Sequence, residues 1–82
     1  MNKPDTNALH KLSDCTESGD YQVIDVKGIF ADRLYELGIL PGSLLSYVRP
    51  APFGFPVEIK VRGQLLALRK SECDCILLLP AE

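Results

Sequence analysis

Residues 57–62 of this 82-residue chain read Val-Glu-Ile-Lys-Val-Arg. Apolar and charged side chains alternate without a break, and a strand sends successive side chains to opposite faces. The pattern predicts a half-buried antiparallel strand, with Val57, Ile59 and Val61 inward and Glu58, Lys60 and Arg62 in water. Gly63-Gln64 then fits a two-residue hairpin turn with Gly63 first, and Leu-Leu-Ala-Leu-Arg returns beside the first strand.

The same reasoning extends along the chain. Residues 21–26, Tyr-Gln-Val-Ile-Asp-Val, are rich in β-branched and aromatic types and bounded by glycines, which predicts a strand with Val23 and Asp25 opposite Ile24 and Val26. Over residues 29–37 the period changes. Phe30, Leu34 and Leu37 form one helical stripe, while Asp32, Arg33 and Glu36 lie off it, and Asp32 suits the positive N-terminal end. Gly38 is placed to end the helix, with Ile39 folding back on Leu34 in a Schellman motif. Pro41 and Gly42 suit the central positions of a type II turn. A strand is expected over residues 43–49, and residues 50–56, with three prolines and a glycine, form a loop too poor in donors to join a sheet interior. Residues 70–74 allow one helical turn capped by Ser71, and residues 75–79 make a last strand, buried on both faces or covered by the lead-in segment.

The expected fold is therefore mainly β: a small, partly open barrel of about five short antiparallel strands with one short inserted helix. Residues 1–11 are read as a flexible leader, with 1–7 frayed and the stretch from Leu9 an irregular lead-in, and residues 12–82 as one domain. Hydrophobic residues make up 46% of the chain, enough for a core, and no run is long enough to span a bilayer. The first residues lack the apolar core of a secretory signal, so a cytoplasmic protein is expected. A net charge of −2 and the mixing of Glu58 and Glu72 among Lys60, Arg62, Arg69 and Lys70 argue against a nucleic-acid binder.

The chemistry-bearing residues are few. Cys15, Cys73 and Cys75 are an odd count and suggest reduced thiols, with Cys75 facing the core and Cys73 half exposed. A zinc site wants four ligands in spaced pairs, so neither a metal nor a cofactor is expected; for ferrous iron only His10, Asp14 and Cys15 offer a thin ligand set. With one histidine and no phosphate-cradling glycine loop, the chain shows no catalytic constellation and is read as a non-enzyme.

Two runs carry a resemblance. Arg-Leu-Tyr-Glu-Leu-Gly-Ile-Leu-Pro-Gly at 33–42 and the stretch 51–78, with its Ala-Pro-Phe-Gly-Phe-Pro loop, glycine hairpin and Ala-Leu-Arg, closely resemble the ferrous iron transport protein A (FeoA) family. The likeness covers residues 12–79. It implies an SH3-like barrel and a cytosolic accessory protein of bacterial ferrous iron uptake, whose partner is FeoB, the membrane transporter with a cytosolic GTP-binding domain. It also extends to the C-terminal SH3-like domain of diphtheria-toxin-type metal-dependent repressors, whose DNA-binding half and metal cluster are missing here. One departure is Phe55, at a position often small or polar in the family pattern.

Recognition residues follow from these elements. Asp32, Arg33, Tyr35 and Glu36 are expected on the outer side of the helix. Arg33 either pins the helix to the barrel through a carboxylate or reaches a GTP-binding partner as a charge-stabilising finger. Pro52, Phe53, Phe55 and Pro56 form the second part of a partner face, with Phe55 outward and Phe53 either outward or folded in over the barrel end. Both parts flank one strand and are expected to make one face. Weak homo-oligomers are expected through an open strand edge or the apolar loop. The alternatives are an SH3-like metal-responsive or iron-carrying module, and a small-barrel nucleic-acid binder.

Overall fold

The computed structural model describes residues 9–81, so the expected fraying of residues 1–7 lies outside the described residues. The alternating run forms a strand one place in from the edge of the sheet. β4 (Val57–Val61) buries Val57, Ile59 and Val61 and pairs antiparallel with β5 (Gln64–Leu68). The hairpin turn lies one residue earlier than expected. Val61 faces Gln64, so Arg62 and Gly63 are the two central residues, with φ of +54° and +79°. Positive φ at both positions is the type I′ geometry that matches strand twist, and an arginine occupies the first of them.

β2 (Gly19–Val26) and β3 (Leu44–Pro50) pair antiparallel, and β3 pairs with β4. In β2 the expected alternation breaks at a bulge. Val23 pairs with Leu78 and Asp25 with Leu77, leaving Ile24 between them. The extra residue resets the faces, so Val23 and Val26 are both buried and Ile24 is 40% exposed.

Between β2 and β3 runs α1 (Ala31–Glu36), a single short helix. Leu34 is fully buried, and Phe30 and Leu37 pack on the core at its two ends. The Schellman motif is complete: Ile39 N–H donates to Leu34 O at 3.0 Å, and Gly38 N–H to Tyr35 O at 3.0 Å, with Gly38 at φ +91°. Ile39 and Leu34 are both wholly buried, which is the apolar clasp of that motif. Ser43 N–H donates to Leu40 O at 2.9 Å and Gly42 has φ +92°, the type II turn expected at Pro41-Gly42.

The chain then closes on itself. α2 (Lys70–Cys73) is capped by Glu72, not Ser71: Glu72 Oε1 accepts the Arg69 N–H at 2.9 Å. The helical turn shifts the phase of the following residues. Cys73 is fully buried and Cys75 only half-buried, the reverse of the expected order. β6 (Ile76–Pro80) lies between β2 and β1 (His10–Lys11), giving the order β1-β6-β2-β3-β4-β5. His10 and Lys11, read from sequence as the end of a flexible leader, are thus a strand, and a 3-10 turn, Leu12–Asp14, follows and buries Leu12. Among the described residues six strands stand where about five were expected, and the helical turn allowed at residues 70–74 is a second short helix. The two ends of the sheet approach one another where this 3-10 turn packs on α2, but β1 and β5 do not pair. The result is an open, SH3-like antiparallel sheet around one apolar core. Among the described residues no helix is long and apolar enough to cross a membrane.

Candidate functional site: helix α1 and the proline loop

The expected helix residues lie on the outer side of α1. Asp32, Arg33, Tyr35 and Glu36 are all exposed, Tyr35 by 42%. Arg33 has a definite structural tie. Its Nε lies 3.2 Å from Glu72 Oε2, and the Glu72 side chain is only 10% exposed. One carboxylate therefore closes α2 through Oε1 and holds α1 through Oε2. Arg33 pins its helix in the way the first sequence reading expected, while its side chain as a whole remains 67% exposed.

Sequence reasoning missed Glu72, which looked like one more surface charge among basic neighbours. The signal was its position, three residues after the Arg69 cap, where an acidic side chain can reach back to the cap's N–H. It also missed Arg62. The side chain of Arg62 lies across the end of α1, so that a Cβ added at Gly38 would come 3.6 Å from Arg62 Cδ. Helix α1 is thus held on one side by Glu72 and overlaid at its C-terminal end by an arginine, where positive charge suits the helix dipole.

The proline loop is rigidly built. Gly54 N–H donates to Ala51 O at 2.8 Å, closing a turn with Pro52 second and Gly54 last, and Ala51 N–H donates to Pro56 O at 2.9 Å. The Phe55–Pro56 peptide is cis. At the tip, Phe53 is 98% exposed. Phe55 packs against the core as a half-buried side chain. The expectation for Phe55 is therefore corrected: the aromatic at the departing position turns in and Phe53 stands out, because the turn at residues 51–54 presents its third residue outward. Pro52 and Pro56 flank them, both exposed. The loop and α1 adjoin opposite ends of β3, about 20 Å apart along the strand, and no hydrogen bond or ion pair joins them among the described residues.

The thin iron set does come together. His10, Asp14 and Cys15 line one shallow cleft with Thr16, Glu17 and Tyr21, and the His10 and Tyr21 rings meet edge to face with centroids 5.7 Å apart. Burial pushes the Cys15 thiol up to about 11, against a hydrogen bond with Tyr21. Cys73, deeper still, is pushed up to about 12 by burial, with the nearby Glu72 and Asp74 charges adding to it. Among the described residues no group of three His, Cys, Asp or Glu is arranged to hold a metal ion.

Known proteins place the chain. A profile for the FeoA domain matches residues 10–80. The solution structure of the FeoA protein from Chlorobium tepidum is 32% identical, covering 89% of this chain and 71% of that one, with a TM-score of 0.79. A FeoA-like protein from Clostridium acetobutylicum is 26% identical over 92% of this chain and 90% of its own length, with a TM-score of 0.83. The manganese-activated repressor ScaR, in its apo form, shares the fold at 22% identity and a TM-score of 0.78, this chain covering 87% of itself and 35% of the repressor. Fold, helix stop, proline loop and profile agree: the chain belongs to the FeoA domain family, whose members take part in ferrous iron uptake.

Proposed function

We propose that this protein is a cytoplasmic, non-catalytic accessory of ferrous iron uptake that acts by binding the membrane transporter FeoB, through its GTP-binding domain or its membrane part. The observation that carries the reading is Phe53, an aromatic ring left 98% exposed on a turn closed by main-chain hydrogen bonds. Leaving such a ring in water is unfavourable for an isolated monomer, and a pre-ordered ring loses little entropy when it enters a partner's pocket. The exposed Asp32, Arg33, Tyr35 and Glu36 on α1 provide a second, polar contact region. Iron is the cargo of the partner.

The test is a titration of isotope-labelled protein with the cognate transporter's GTP-binding domain, with and without a GTP analogue, read by amide shifts. Shifts centred on Phe53 and its loop, and on Arg33 to Glu36, support the reading, and nucleotide dependence marks a regulator of the GTPase cycle. A silent spectrum with that domain and with full-length transporter in detergent refutes it.

A further inference from the structure

The two outermost strands of the sheet differ. β1 is only two residues long and carries Lys11, the short, charged form in which an edge resists pairing. β5 is five residues, Gln-Leu-Leu-Ala-Leu, with no charge, no proline and no bulge. The hairpin fixes which of its main-chain groups are free. Val61 and Gln64 flank a two-residue turn and so exchange both hydrogen bonds, which makes Ile59–Leu66 and Val57–Leu68 the next bonded pairs. Leu65 and Ala67 therefore direct their N–H and C=O groups away from β4. Neither takes part in any other main-chain hydrogen bond among the described residues. Both side chains are exposed, Leu65 by 60%, whereas Leu68 at the far end is buried.

We propose that β5 is a self-association edge, on which a second copy of this chain pairs its own β5 antiparallel about a two-fold axis at Leu66. In that register Leu65 of each copy faces Ala67 of the other, and each such pair exchanges both of its outward N–H···O bonds. The bulky Leu65 meets the small Ala67, so the outer face fills without crowding. The charges of the flanking strands stay out of the seam. Lys60 lies beside Leu65 and Glu58 beside Ala67 on β4, so each row across the joined sheets ends in Lys60 at one side and Glu58 of the second copy at the other. One strand pair buries far less than the ~1,200–2,000 Å² of a lasting complex, so the dimer is weak, with a dissociation constant near about 1 mM. The same register sets Gly63 against Arg69 of the second copy and brings Arg62 near that residue. Screening this like-charge contact makes the dimer tighter at high salt.

The experiment is a dilution series of the labelled full chain, from about 2 mM to about 0.05 mM, around that constant. It is followed by sedimentation equilibrium and amide hydrogen exchange. The expected result is a mass that climbs toward the dimer with concentration and salt. Protection at Leu65 and Ala67 should rise alongside it, while the Gln64 and Leu66 amides stay protected throughout. Ala67→Lys or, independently, Leu65→Lys should raise the dissociation constant at least about tenfold and leave the Gln64 and Leu66 protection intact. A monomer at the highest concentration, a dimer indifferent to both substitutions, or one weakened by salt overturns the proposal. So does protection of Leu65 and Ala67 that appears only when another protein is added, which would make β5 a site for a foreign strand.

Discussion

The Arg33–Glu72 pair gives a sharp quantitative test, because the two partners are unequal. Replacing Arg33 with Ala removes one ion pair whose arginine is 67% exposed and whose carboxylate is 10% exposed. Exposed pairs contribute about 0.2–1 kcal/mol; the shielded carboxylate places this one at the upper end, so Arg33→Ala should cost about 1 kcal/mol. Glu72→Ala removes the same pair and also the cap on the Arg69 N–H, which alone is worth about 1 kcal/mol. It should therefore cost about 2 kcal/mol. The double variant should cost no more than Glu72→Ala, so the cycle gives a coupling of about 1 kcal/mol. Urea unfolding reads this directly: with a slope of about 1 kcal/mol/M for a chain this small, the midpoints should fall by about 1 M and about 2 M. A coupling below about 0.3 kcal/mol would mean that α1 is not held by Glu72. Equal losses for the two single variants would mean that Glu72 does not cap α2.

Three further outcomes follow from the geometry. Phe53→Ala should leave stability unchanged within about 0.5 kcal/mol, while Phe55→Ala costs about 1–2 kcal/mol for a half-buried ring; thermal melts distinguish them, and the reverse order would return Phe55 to the surface. A thiol reagent should modify Cys75 in the native protein and reach Cys15 and Cys73 only after unfolding. Both buried thiols hold their protons to about 11 and about 12 instead of the usual 9.0, so stability is full below pH 9.0 and falls as pH rises from there toward 12, which base titration followed by circular dichroism would detect. Arg62→Asn, putting a residue tolerant of positive φ at the first hairpin position, should stabilise the protein by about 0.5 kcal/mol; a loss above about 1 kcal/mol would show that the contact of Arg62 with the end of α1 outweighs its backbone strain.

What could be read from the residues was what neighbouring residues decide. The alternation at 57–61, the Schellman end at Gly38 and Ile39 and the Pro41-Gly42 turn each depend on chemistry within a few positions, and each formed as expected. The errors share a cause. Counting faces by two works only while the phase is kept, and the bulge at Ile24 and the helical turn before Cys73 both reset it from outside the counted run. The Arg62-Gly63 turn was displaced by one residue because register is set by the partner strand, not by the glycine alone. The contact between Arg33 and Glu72 spans most of the domain in sequence, and nothing local pairs them. Phe55 was expected outward and turned in, because its place just after the 51–54 turn, not its residue type, decides which way the ring faces.

β6 is the last strand of the domain in sequence, yet it occupies an interior place in the sheet, between β1 and β2. On the ribosome, β2 to β5 can emerge and pair in order, but β2 keeps one flank bare, and β1 has nothing to bind, until Ile76–Pro80 has left the exit tunnel. Non-local closure of this kind puts the pairing of β6 last in the assembly of the sheet. A stop codon anywhere between Arg69 and Ile76 would therefore yield not a slightly shortened domain but a half-sheet with its longest strand unpaired on one side, a substrate for proteases.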